Sequence, residues 1–220
     1  MTENDTQQDR LNQLEKVAQT TLESGKNIHD EVKHITLKAL SQGQLDVANI
    51  QQVIKAIVQG ASQGAAGKTS PKQDLAEAIA GLDEALMKSA EASKLAIEEV
   101  AGHAKDFTHH DLKQALQNLS VLETMLIDTL KDVAQAASGT AKESLNELAE
   151  HARTTGTASG KMVVETVKDL TQKLQQSIGE EVIAGKDSAL AITAKISEAG
   201  AGFLGGIAAS LRAKSSQKKG

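Results

Sequence analysis

The residues best able to do chemistry lie in four short stretches. His103, His109, His110 and Asp111 bring three imidazoles and a carboxylate within nine positions, the ligand types that zinc and nickel take. Adjacent His109 and His110 point to different faces of a helix, however, which is poor ligand spacing. His29 and His34 are likewise five apart and share no face, so no metal site is expected. Gly67-Lys68-Thr69 has the ending of a phosphate-binding loop. That loop needs a glycine five residues earlier, where this chain has Ser62, and a preceding strand, which the pattern lacks. Gly160-Lys161-Met162 fails in the same way, and both read as linker chemistry. No nucleophile elbow or fixed triad spacing is present, and lysine and glutamate at i, i+4 read as solvated helix faces. The sequence therefore points to no enzyme, no cofactor and no small-molecule substrate.

The elements that carry these residues are helical. The chain of 220 residues has one proline, Pro71, two aromatics, Phe107 and Phe203, and no cysteine. Thick globular cores are filled by aromatics, whereas helical hairpins and coiled coils close on Leu, Ile, Val and Ala. The expected class is all-α, an elongated antiparallel helical hairpin or bundle with flanking amphipathic helices. Zero cysteines excludes thiol chemistry, disulfides and Cys-ligated zinc.

Net charge is −5, and Arg212, Lys214, Lys218 and Lys219 follow Leu211 with no acid among them. Setting those four charges aside leaves residues 1–211 at −9. An acidic body without stacking aromatics argues against nucleic acid as a partner. Met1–Arg10 is polar with no apolar h-region, so no signal peptide is expected. No uncharged apolar run reaches the length of about 18 residues that suggests a membrane span. The expected location is cytoplasmic, or peripheral to a membrane or granule.

Residues 1–60 read as N-terminal amphipathic helices. Leu11, Leu14, Ala18, Thr21, Gly25, Ile28, Val32, Ile35 and Ala39 alternate at three and four, which predicts one helix ending near Gly43. A second helix follows an Asp46 N-cap and shows Ile50, Val53, Ile54, Ile57 and Val58 on its apolar face. Gly, Ala and Ser then mark 61–70 as a linker. Ser70, Pro71 and Gln73 form a helix start with proline at its tolerated first position. The central hairpin spans 71–153. Its first helix stops near Gly102, and Thr108 with Asp111 opens the second. Two helices of roughly 30 residues give a hairpin about 45 Å long. Leu112, Leu116, Leu119, Leu126, Leu130 and Val133 form the seam, broken only by Glu123. Such a seam can close within the chain or between chains, and a homo-oligomer is expected. A break at Ser138-Gly139-Thr140 precedes a short helix recapped by Thr140 and Glu143.

Residues 154–160 read as a second linker, and 161–211 as C-terminal amphipathic helices with a Gly-rich apolar end. Phe203, Leu204, Ile207 and Leu211 offer an apolar surface beside Arg212 and Lys214 in the basic tail 212–220. That pairing suits docking on an apolar granule or an anionic membrane surface. The competing reading is a solubilising tail.

The runs Val32-Lys33-His34-Ile35-Thr36-Leu37-Lys38-Ala39-Leu40, Val53 to Gly60, Gly102 to Asp111, and His151-Ala152-Arg153-Thr154-Thr155-Gly156-Thr157 resemble an uncharacterised bacterial all-helical family across most of 30–160. That resemblance implies no activity. More loosely, the size, the Ala-rich heptad helices, the missing cysteine and the basic tail are similar to phasins, which coat polyester granules. The Gly-rich end departs from a lysine–alanine–proline tail. The expected function is a non-enzymatic helical interaction protein that self-associates and coats a granule or membrane in a phasin-like way. The alternatives are a scaffold that binds a protein partner through the seam and a stress- or desiccation-type helical protein.

Overall fold

The computed structural model describes residues 3–42, 47–102 and 121–178. These form seven helices and no strand among the described residues: α1 (Glu3–Ser24), α2 (Ile28–Gln42), α3 (Val47–Ala65), α4 (Pro71–Gly102), α5 (Leu122–Ala136), α6 (Gly139–Thr155) and α7 (Ala158–Ile178). The all-α bundle expected from the sequence is what forms. Its main core runs from Leu22 and Ile28 through Ile54, Ile57, Leu75, Leu82 and Leu86 to Leu126, Leu130 and Leu145.

The long N-terminal helix expected from the heptad pattern is broken in two. Gly25 adopts φ +64 and Asn27 φ +50, the left-handed region that glycine and asparagine tolerate best. The Gly25 N–H bonds to the carbonyls of Thr21 and Leu22, which ends α1. The Asn27 carbonyl then accepts from Glu31 and starts α2. Lys68 completes the first of these ends. Its ammonium donates to the Leu22 carbonyl and pairs at 2.5 Å with Asp74 in the first turn of α4. A cation at a helix C-terminus and an anion near a helix N-terminus each suit the local dipole. Lys68 thus ties two helix ends together.

The bundle is built largely from parallel pairs. Gln7 bonds to Gln52, Gln63 to Glu15, and Gly64 lies against Gln19, so α1 and α3 run the same way. His29 lies against Gly81 and Lys33 meets Glu84, so α2 and α4 are also parallel. Asp83 meets Ser159 and Lys94 meets Asp169, which makes α4 and α7 a third parallel pair. The sequence reading paired the helix at 71–102 with that at 108–137 across a short loop. Residues 103–120 lie outside the described part, so that loop and the Thr108 start lie outside it too. The described remainder of the second helix, α5, packs on α6 and α3, while α4 packs mainly on α2 and α7.

Glycine sets two of the three parallel crossings. A Cβ on Gly60 would stand 2.1 Å from the Glu15 carbonyl oxygen, and one on Gly64 2.3 Å from that of Gln19. A Cβ on Gly81 would stand 2.2 Å from the His29 carbonyl oxygen. The stretch read as a linker from residue 61 is accordingly helical through Ala65, with Gly60, Ala61, Ser62, Gly64 and Ala65 buried. Its small residues are a contact surface for α1.

Beside the Gly81 crossing sits a charge cluster. Lys33 Nζ lies 2.9 Å from Asp30 and 3.3 Å from Glu84, and His29 Nε2 lies 3.2 Å from Glu84. The hydrogen bond from Lys33, then that from His29, holds the Asp30 carboxyl below its ordinary range. A depressed carboxylate contributes stability above its unfolded pKa and loses it as pH falls through the folded value. Asp30 is 71% exposed, so solvent screens most of this. Lys33→Met should therefore lose under about 1 kcal/mol of stability near neutrality and show a flatter acid limb below about pH 4, read by urea unfolding at stepped pH.

Candidate functional site

The densest polar chemistry among the described residues lies where α7 begins, and it was missed in the sequence. Four residues, Asp83 on α4, Glu123 on α5, and Thr157 and Ser159 at the start of α7, meet at one junction. The first backbone N–H groups of a helix have no partner within it and need one from elsewhere. Here the Asp83 carboxylate accepts from the N–H of Ala158 at 2.7 Å and of Ser159 at 3.0 Å. It also accepts from the Ser159 hydroxyl at 2.5 Å. The Thr157 hydroxyl accepts from the Gly160 N–H at 2.9 Å, the usual N-cap bond. Glu123 accepts from the Thr157 N–H at 2.7 Å and from its hydroxyl at 3.0 Å. Two carboxylates from two other helices therefore cap a third.

The local sequence makes this possible. Gly156 takes φ +74 and its N–H bonds to the Ala152 carbonyl, so α6 stops and α7 starts two residues later. Gly160 leaves room for Glu123, because a Cβ there would meet that carboxylate at 2.3 Å. The interruption of the heptad seam at Glu123 is thus its assignment to the α7 cap. The signals available in the sequence were that misplaced glutamate and the Thr157-x-x-Gly160 pattern. The stretch 154–160 read as a linker is instead the end of α6, a two-residue corner and the first turn of α7.

Beyond the corner, α7 lies along α4, and the buried apolar cluster between them is small. Ala90, Leu122 and Val163 form a cluster separate from the main core, with Ile50, Met162 and Val167 packed against it. Ser159 and Thr166 are also fully buried, and the Thr166 hydroxyl has no hydrogen-bond partner. Lys94 and Asp169 pair at 2.7 Å across the two helices. Near this cluster in sequence, Leu95 is 60% exposed, Val164 66% and Val121 38%.

Of the expected seam, Leu126, Leu130 and Val133 are buried in the chain's own core, and Leu112, Leu116 and Leu119 lie outside the described residues. The docking residues Phe203, Leu204, Ile207, Leu211, Arg212 and Lys214 lie outside them as well, as do His103, His109, His110 and Asp111. Lys68 of the Gly67-Lys68-Thr69 stretch is the tie between α1 and α4, and Gly160 belongs to the α7 cap. Gln73 turns forward to Glu77 at 3.4 Å instead of closing a capping box. Ser138, not Thr140, occupies the N-cap position of α6, with no side-chain bond to that helix. A cleft of about 650 Å³ lies between the starts of α4 and α6, lined by Ser70, Lys72, Thr140, Ser144 and Glu147, with Lys72 and Glu147 paired at 2.5 Å. No group of three or more His, Asp or Glu among the described residues is placed to hold a metal ion. No described helix is long and apolar enough to cross a membrane.

Fold and junction together define an all-helical bundle whose helices are joined by glycine crossings and carboxylate caps. The chain belongs to a family of unknown function, DUF6781, whose model matches residues 1–213. No curated protein and no solved structure matches it.

Proposed function

We propose that this is a non-enzymatic helical interaction protein that self-associates through apolar helix surface left open by its own fold. One observation carries the reading. Leu95 on α4 and Val164 on α7 are each more than half exposed on the third parallel pair, with Val121 at the start of α5. Isolated exposed apolar side chains are ordinary, but these three lie close in sequence to members of one small cluster, and a grouping of exposed apolar side chains is what association surfaces present. Leu126 and Leu130 of α5 pack in the main core of the chain itself, which supports a role for the outer residues in association. Sedimentation equilibrium at tens of micromolar, a range suited to weak association, tests it. Dimers or larger species support the reading, and a pure monomer counts against it.

A finer, phasin-like reading adds an apolar or anionic surface as partner. The sequence from Phe203 to Lys214 favours it, because apolar side chains stand beside uncompensated basic ones. Truncation after Glu198 should abolish flotation with anionic vesicles. Unchanged flotation removes this reading and leaves self-association standing.

A further inference from the structure

We infer that α7 is a releasable arm, held at its first turn by the carboxylates of Asp83 and Glu123, that leaves α4 as a unit while the rest of the bundle stays folded. Elements open separately when few apolar contacts tie them to the rest. In α7, Val163 is the one large apolar side chain that is fully buried among those described. The remaining buried positions of its docked face are Ser159, Gly160 and Thr166, with the cap residue Thr157. Hydroxyls and a glycine gain little from leaving water. Thr166 opposes docking, since its hydroxyl loses water and finds no partner.

Among the described residues of α7, Met162 and Val167 pack beside Val163, and the polar ties are densest at the first turn. Seven hydrogen-bond contacts at the junction engage Asp83, Glu123 and Thr157 within the first turn. The Lys94–Asp169 pair is one further tie along the helix, and its aspartate is 46% exposed. Gly156 at φ +74 supplies a corner where backbone angles can change at small cost. Opening at this corner would remove no described residue of the main core, and half-buried Ile50 is the side chain that packs against both that core and the cluster under α7. The freed helix carries Val163, Val167, Leu170, Leu174 and Ile178 at spacings of three and four, a continuous apolar stripe. For the use of that stripe the inference rests on the self-association reading. The release itself does not, and exchange measures it alone.

Hydrogen exchange with mass spectrometry on the full chain reads the opening. Peptides from 158–178 should exchange at least about 10-fold faster than peptides from 53–61 in α3, which belong to the global opening. Asp83→Ala should accelerate the α7 peptides by a further factor of about 10, the usual scale for a lost cap, and leave α3 unchanged. Thr166→Val, which deletes the unpartnered hydroxyl at constant shape, should slow the α7 peptides several-fold against α3. Equal exchange of α7 and α3 in the wild type overturns the inference, as does an equal acceleration of both by Asp83→Ala. Should Asp83→Ala fail to fold, Thr166→Val decides, and no slowing of α7 relative to α3 overturns it.

Discussion

Gly60→Ala and Gly64→Ala should each destabilise the protein by about 1–3 kcal/mol, the usual cost of overpacking. Helix propensity alone predicts the opposite sign, because alanine in a helix interior is favoured over glycine by up to about 1 kcal/mol. The crossing overrides it. The new methyl on residue 60 would lie 2.1 Å from the Glu15 carbonyl oxygen and 2.9 Å from the Ala18 Cβ. The one on residue 64 would lie 2.3 Å from the Gln19 carbonyl oxygen and 2.9 Å from the Leu22 Cβ. Backbone oxygens cannot rotate away, so α1 must move off α3. Both sites load the same interface, so the double variant should not show simple additivity. Urea unfolding provides the measurement, with exposed Gln51→Ala on the same helix as a control expected within about 0.5 kcal/mol. A higher urea midpoint for either glycine variant would contradict the close crossing.

Leu130→Ala should cost about 3–4 kcal/mol, in the range for a leucine cut to alanine in a tight core. Leu130 has no exposed surface and shares its core with Leu126, Val133 and Leu145. The loss should be the same at about 1 and about 100 μM protein, because a core closed within one chain does not depend on concentration. A cost that fades on dilution would place this seam between chains.

The sequence was most legible where one face of a helix is strongly apolar or a backbone constraint is unique. Pro71 opens α4, and the break near Gly139 separates α5 from α6. Of the expected apolar face, Val53, Ile54, Ile57 and Val58 are buried and Ile50 is half-buried. Small-residue contacts were illegible. Gly60 and Gly64 have the composition of a loop, and only the oxygens of Glu15 and Gln19 reveal them as a crossing. The corner at Gly25 was absorbed into a heptad because its neighbours kept the spacing across it. The α7 junction was hidden for a different reason. Asp83 and Thr157 are far apart in sequence, and each looks like an ordinary surface residue until parallel packing brings them together. Hydroxyl-lined contacts such as those of Ser159 and Thr166 leave no hydrophobic period to read.

Sedimentation equilibrium of the wild type beside Leu95→Glu/Val164→Glu tests the self-association claim most directly. Both positions are exposed, so the double variant should fold with little change in its urea midpoint. An oligomer is expected at tens of micromolar for the wild type, with a shift of at least about 10-fold toward monomer for the variant, the weight of about 1.4 kcal/mol at the interface. An oligomer equally strong in both proteins, or a monomer in both, would contradict it.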